Sequence, residues 1–303
     1  MKIVATSPSF SKNRKLQEEI YRYFPNAKLN LEGKRFTKEE LIQFIGDADG
    51  AIVGLEEIDD EVVEACPNLK IVSKYGVGLN NLKFNNPNIQ IGWTGGVNRL
   101  SVAELVLGYM LMLARNIYIT SNQLKSGTWN KSGGFQLSGK TIGIIGVGYI
   151  GKELIRLLQP FNCEILVYDV IDQTEYYNSV GVKEVDIPTI LRNSDFVTLH
   201  VPLNKDTKNM ISTEEFRTMK KSAYIINSAR GGVVDEEALK EALKSGEIAG
   251  GAIDVYTTEP PTDTELINLP NLITTPHIGG NAEEAVLAMG MSAIQHLREF
   301  FKV

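Results

Sequence analysis

The sequence is poor in cysteine and histidine, with two of the first and three of the second in 303 residues, and it has no long apolar run. The cysteines, Cys66 and Cys163, stand far apart among ordinary core and turn residues, so no disulfide framework is expected and a reducing compartment fits. Scattered histidines and distant cysteines offer no zinc-type spacing, and no metal site is expected. The longest uncharged apolar stretch, Leu105 to Ala114 between Glu104 and Arg115, is too short to span a bilayer. The opening MKIVATSPSF is too weakly apolar for a signal peptide and reads as a first strand. Positive charge is also in short supply. A net charge of −6 argues against nucleic acid or an anionic membrane as partner, although a few local arginines suffice for a small anionic substrate. The expected location is the cytoplasm.

An apolar fraction of 43% with 22% charged residues is that of a soluble globular protein, and the length suits two ordinary domains or one large α/β domain. Short β-branched runs alternate with amphipathic segments, the pattern of parallel sheets covered by helices on both faces. The first series of strands is expected at Ile3–Thr6, Gly50–Val53, Leu69–Ser73 and Ile89–Trp93, with helices near Asn13–Tyr23, Thr37–Ile45 and Asp59–Ala65. Residues 94–136 break the alternation. There SVAELVLGYMLMLARNIYITSNQLKSG reads as one long helix with Ser101 as N-cap and Glu104 at the capping-box position. Apolar residues ring that helix, which predicts burial between layers or subunits and a crossover between domains. A second series follows at Thr141–Ile145, Glu164–Tyr168, Phe196–His200, Ala223–Asn227, Gly250–Asp254 and Leu272–Thr274. Six strands with intervening helices amount to a doubly wound sheet. The closing amphipathic helix, Asn281–Phe301, has no strand of its own to cover and is expected to return to the first domain.

The stretch TIGIIGVGYIGKEL interrupts a core-forming run with Gly146, Gly148 and Gly151. Alone, such spacing is a weak signal. Here a strand precedes it, a helix follows, and Asp169 ends the next strand about 20 residues on. Gly146 would allow the tight turn, Gly148 would admit a pyrophosphate to the backbone, and Gly151 would let helix and strand approach. The helix N-terminus would offer amide hydrogens to the phosphates. Asp169 would accept hydrogen bonds from a ribose and repel a 2′-phosphate, and no Lys or Arg follows it until Lys183, which favours NAD over NADP.

Three strand ends downstream carry polar residues: Arg230 in INSARGGVVDEEAL, Glu259 in GAIDVYTTEPP and His277 in ITTPHIGG. In open α/β sheets ligands sit beyond the carboxyl ends of the strands. Reducing a 2-oxo acid puts negative charge on the carbonyl oxygen as hydride reaches carbon, so a proton donor and a fixed cation both lower the barrier. His277 is the natural acid or base because imidazole titrates near neutrality. Glu259 would stabilise the imidazolium, and the planar fork of Arg230 would clamp a carboxylate and polarise the carbonyl. Each has a bland reading as ion-pair, turn or packing residue, but the three together at successive strand ends make a coherent set.

From YGVGLNNL through NRLSVAELVLGYMLMLARN, GKTIGIIGVGYIGKEL, LHVPLNKDT and INSARGGVVDEEAL to TPHIGG, the chain resembles the D-isomer-specific 2-hydroxyacid dehydrogenase family. The first 50 residues carry little of that likeness. The resemblance implies an α/β architecture: a doubly wound Rossmann NAD-binding domain, residues 97–280, inserted into a flavodoxin-like substrate-binding domain, residues 1–96 plus 281–303. A cleft closing over cofactor and substrate is implied too. Catalysis would rest on Arg230, Glu259 and His277. Val77 and Gly78 would offer amides to the substrate carboxylate, with Asn98 near the substrate. His200, Val201 and Pro202 would line the cofactor cleft, Ala229 and Asp254 would approach the nicotinamide end, and Tyr149 and Ile150 would lie over the pyrophosphate. His296 is expected on a solvated face. A homodimer through residues 101–135 is implied.

The activity so implied is reversible hydride transfer between NAD and a D-2-hydroxy acid or 2-oxo acid of the phosphoglycerate, glycerate, glyoxylate or hydroxypyruvate type. A non-catalytic, NAD-sensing interaction protein on the same scaffold is the alternative, disfavoured by the intact Arg230, Glu259 and His277. GWTGGVN departs from the family's usual segment before Asn98. Where phosphoglycerate enzymes carry arginines for the phosphate, this chain has Gly54 and Lys74, with Lys131 as a further cation. The sequence stops at Val303, so no appended regulatory domain is expected.

Overall fold

A computed structural model describes residues 1–303. The chain divides into two compact units, residues 1–98 with 281–303, and residues 99–280.

The first unit is built on strands β1 (Ile3–Ala5), β2 (Lys28–Leu29), β3 (Gly50–Val53), β4 (Ile58–Asp59), β5 (Ile71–Lys74), β6 (Leu82–Lys83) and β7 (Gln90–Gly92). Five of them form a parallel sheet in the order β2-β1-β3-β5-β7, while β4 and β6 pair separately. Counted within the main sheet, that order is 2-1-3-4-5, the flavodoxin-like winding. β1 and β3 are wholly buried, as strands covered on both faces must be. One face is covered by helices that include Lys38–Ile45 and Asp60–Ala65; the first carries a complete Thr37/Glu40 capping box. The other is covered by Arg14–Tyr23 and by Glu283–Phe301, which buries Met289, Ala293, Ile294 and Leu297 with Leu16 and Ile20.

The second unit adds β8 (Thr141–Ile145), β9 (Glu164–Tyr168), β10 (Lys183–Glu184), β11 (Phe196–Leu199), β12 (Tyr224–Asn227), β13 (Gly250–Ile253) and β14 (Leu272–Thr274). They form one seven-stranded parallel sheet in the order β10-β9-β8-β11-β12-β13-β14. The winding reverses between β8 and β11, each of which pairs with the other in register, Ile145 beside Leu199. Such a switch point opens a crevice at the carboxyl edge. The six expected strands are present, and β10 is a seventh. Two residues long, Lys183–Glu184, it is too short and too charged to show a pattern.

The expected single helix from Ser101 onward is two helices, Arg99–Ala114 and Ile117–Lys125, bent by 65°. The break has a local cause. Asn116 adopts a left-handed backbone, and the Ala114 carbonyl accepts from Phe135 N at 2.8 Å instead of continuing a helix. Ser101 is not the N-cap, because the helix starts two residues earlier; its hydroxyl donates to the Gly279 carbonyl at 2.6 Å. Burial of Val102, Ala103, Val106, Tyr109, Met110 and Leu113 bears out the expectation of a buried helix. No single helix is long and apolar enough to cross a membrane; the bent pair passes by length and composition only. Both cysteines are free thiols, and burial raises the pKa of each.

Candidate active site

Gly146 follows β8 with φ +95, a conformation that side-chain-bearing residues avoid, and a Cβ there would stand 2.5 Å from the His200 carbonyl oxygen. A Cβ on Gly151 would meet the Gly146 carbonyl oxygen at 2.4 Å, so helix and strand approach as closely as backbones allow. At Gly148, by contrast, a Cβ would meet nothing within 4 Å. Gly148 is the N-cap of helix Tyr149–Leu158 and supplies no side-chain cap, so the first amides of this ten-residue helix face open space. A tight turn, a close helix and uncapped amides at the switch point fit a dinucleotide pyrophosphate. Tyr149 is exposed and Ile150 half-buried beside this opening.

Asp169 closes the loop from the neighbouring strand. Its carboxylate accepts from Val147 N at 2.6 Å and from Ile171 N at 2.9 Å, so it fixes the glycine turn as well as ending β9. The residues beyond it, Val170 and Ile171, are exposed and apolar, which leaves no cation there for a 2′-phosphate. His200, Val201 and Pro202 follow β11 on the other side of the switch point. The His200 ring meets the Thr198 hydroxyl through Nε2 at 3.1 Å, while its buried Nδ1 has no partner, and burial pushes its pKa down to about 4. A neutral imidazole with one unsatisfied nitrogen suits the wall of a ligand cleft.

The acid, the cation and the imidazole come from three successive strands of one sheet. Arg230 follows β12, Glu259 follows β13 and His277 follows β14. His277 Nδ1 faces both oxygens of Glu259, at 2.8 and 3.0 Å, and Glu259 also accepts from Tyr256 N at 3.2 Å. The carboxylate thus orients the ring and holds the proton on Nδ1, the arrangement a catalytic histidine needs. Arg230 is half-buried; burial lowers its pKa and the charge of Glu259 opposes that shift. Its Nη1 donates to the Ala229 carbonyl at 2.6 Å, and its own carbonyl accepts from Asn227 Nδ2 at 3.1 Å.

Asp254 proves to have a structural task that its strand-end position did not reveal. It is buried, and its two oxygens accept from Ile278 N at 2.8 Å and Gly279 N at 2.7 Å, with the Thr275 hydroxyl as a third donor. Tyr109 joins Thr275 from the long helix, and Tyr256 donates to the Thr275 carbonyl at 3.1 Å. The backbone that carries His277, itself left-handed at φ +54, is therefore pinned on both sides. Sequence reading missed Thr275, Tyr109 and Tyr256; hydroxyls beside a strand end carry no spacing signal.

In the first unit, Val77, Gly78 and Asn98 lie beyond the ends of β5 and β7. Neither the Val77 nor the Gly78 amide donates to an acceptor in the chain. Asn98 is buried with Oδ1 unpartnered. Lys74 is buried and donates to the Gly54 carbonyl and to Asn81 Oδ1, so its ammonium serves the fold of this loop. Lys131, the further candidate cation, is exposed. His296 departs from the expected solvated face: it is half-buried, its Cβ packs against Gly92, its Nε2 lies 2.8 Å from the Thr94 hydroxyl, and burial lowers its pKa. No cluster of His, Cys, Asp and Glu suited to a metal ion occurs in the chain.

The family model for the D-isomer specific 2-hydroxyacid dehydrogenase NAD binding domain matches residues 107–279. The chain is 38% identical over its whole length to a D-3-phosphoglycerate dehydrogenase of Methanocaldococcus jannaschii, of which it covers 58%. It is 36% identical to a hydroxypyruvate reductase of Thermotoga maritima over 94% of this chain and 95% of that one. A glyoxylate reductase structure from Paecilomyes thermophila superposes with a TM-score of 0.84 at 25% identity, covering 98% of this chain and 95% of that one. The chain spans a little over half the length of the first phosphoglycerate dehydrogenase relatives it matches.

Proposed function

Because the chain belongs to the D-isomer specific 2-hydroxyacid dehydrogenase family and carries its NAD-binding domain, we propose that it reduces a small 2-oxo acid to the D-2-hydroxy acid with NADH, and catalyses the reverse. The observation that carries this reading is the Glu259–His277 pair at 2.8 Å, one strand along from Arg230. Regulatory, non-catalytic use of the scaffold would not need that pair.

NADH, when bound, supplies the hydride to the carbonyl carbon. The chain's residues handle the rest. With Nδ1 engaged by Glu259, we assign to the other ring nitrogen, Nε2 of His277, the proton given to the carbonyl oxygen. Glu259 stabilises the imidazolium beforehand and orients the ring. Arg230 steadies the negative charge on that oxygen and clamps the substrate carboxylate, a task for a rigid planar donor set. The Val77 and Gly78 amides receive the carboxylate as well, with Asn98 beside the substrate. Uncapped amides from Gly148 to Ile150 would hold the pyrophosphate beside Tyr149, Asp169 would take the adenosine ribose, and His200, Val201, Pro202, Ala229 and Asp254 would wall the remaining length of the cofactor. The first unit, residues 1–98 with 281–303, then serves as substrate domain and the second, residues 99–280, as cofactor domain.

The test is NADH oxidation by the purified protein against a panel of glyoxylate, hydroxypyruvate, pyruvate and phosphohydroxypyruvate, run in parallel with NADPH. We expect turnover of at least one acid and a clear preference for NADH. Absence of turnover with every acid would overturn the enzymatic reading, and tighter NADPH binding would overturn the role given to Asp169.

We further propose a homodimer through residues 101–135. Helix Ile117–Lys125 buries no residue of its own, and Ile117, Leu124 and Trp129 are exposed there, more apolar surface than one short arm leaves to water without a partner. Light scattering should give twice the 33.5 kDa of the chain; a monomer at working concentration would refute it. Two unpaired thiols suit the cytoplasm, which cell fractionation would check.

A further inference from the structure

At the segment Gly92-Trp93-Thr94 the structure places a bond that the assigned chemistry does not use. Trp93 leaves the end of β7 and its indole Nε1 donates to the Val77 carbonyl at 2.9 Å. The next residue anchors the same segment on its other side. The Thr94 hydroxyl lies 2.8 Å from His296 Nε2 and accepts from Ser292 Oγ at 2.9 Å, both on helix Glu283–Phe301. Trp93 is therefore the end of a brace that runs from that helix to the Val77 peptide.

Peptide geometry gives the brace a consequence. In a trans peptide the carbonyl of one residue and the N–H of the next point in opposite directions on one rigid plane. Drawing the Val77 carbonyl toward the indole turns the Gly78 N–H the opposite way, into the space where it has no acceptor in the chain. Without the brace this loop would turn more freely, because Gly76 (φ +136) and Gly78 flank Val77 and glycine restricts rotation least. An anion receptor whose donors must first be oriented loses affinity in proportion to that ordering.

We propose that Trp93 is a positioning residue for substrate: its indole N–H fixes the Val77–Gly78 peptide so that the Gly78 amide is preset to receive the carboxylate of a 2-oxo acid. The inference rests on the reading of Val77 and Gly78 as carboxylate donors and adds the residue that orients them. The role assigned to Trp93 is a bond within the chain and no contact with substrate or cofactor. Its effect falls on binding, not on the hydride step.

The sequence has only two tryptophans, Trp93 and Trp129, which makes the test clean. Trp129 lies on the arm assigned to the dimer contact, so free N-acetyltryptophanamide serves as the exposed reference. In the ligand-free wild type, the indole N–H resonance that disappears in Trp93→Phe should exchange with solvent several-fold more slowly than that of N-acetyltryptophanamide. Kinetically, Trp93→Phe keeps the ring and loses the donor, and should raise KM for the 2-oxo acid about fivefold to tenfold, the worth of one neutral hydrogen bond. Its kcat should stay within about twofold and its NADH affinity unchanged, a split that general unfolding would not produce. An indole exchanging as fast as N-acetyltryptophanamide would overturn the proposal whatever the substrate. A protected indole with unaltered KM in Trp93→Phe would overturn it while leaving the reductase reading intact, whereas failure of the wild type to turn over any 2-oxo acid would remove both.

Discussion

Replacing His277 by glutamine should lower kcat for reduction of the preferred 2-oxo acid by about 10²–10⁴-fold, the range by which a positioned general acid accelerates proton transfer. NADH binding, followed by fluorescence titration, should change little, because the glycine turn and Asp169 lie on the other half of the sheet. The argument runs through the Glu259 contact. A carboxylate 2.8 Å from Nδ1 fixes the proton on that nitrogen and the plane of the ring. Glutamine retains hydrogen-bonding groups of similar reach but cannot deliver a proton near neutral pH. Near wild-type turnover in His277→Gln would show that the imidazole is not the acid.

The second large effect is expected at Arg230. Changing it to alanine should reduce kcat/KM by about 10²–10³-fold, comparable with loss of a preorganised donor to a developing oxyanion. Arg230→Lys should recover little of this, since an ammonium cannot make the planar two-pronged contact with a carboxylate. Burial already disfavours the charged guanidinium and the neighbouring Glu259 opposes that cost, so removing Arg230 also leaves Glu259 beside one cation fewer. Steady-state kinetics of both variants decide the matter; an Arg230→Lys enzyme as active as wild type would show that point charge alone is enough.

The parts of this architecture legible in the sequence were those written in repeating patterns. Strands such as Thr141–Ile145 and Gly250–Ile253 are apolar on both faces because helices cover both, and that continuous character is visible in the residues alone. The glycine turn was legible because two of its glycines answer to steric limits, which no other residue satisfies. Arg230, Glu259 and His277 stood out because a charged or imidazole side chain at a strand end has few structural reasons to be there.

What escaped was decided by contacts between residues distant in the chain. The bend after Ala114 depends on Phe135 claiming its carbonyl, and a helical pattern on either side of Asn116 hides it. Asp254 was legible as an acid at a strand end, but its bonds to Ile278 and Gly279 could not be inferred from spacing. His296 looked exposed on an amphipathic helix until Gly92 and Thr94 were found against it.

The first sheet is completed by helix Glu283–Phe301, which supplies Met289, Ala293, Ile294 and Leu297 to its interior. A ribosome releases residues 1–98 long before that helix exists. Until it does, helix Arg14–Tyr23 alone covers that face of the first sheet, whereas the pieces of the second unit are contiguous in the chain. The first unit therefore cannot be completed before the second has been synthesised.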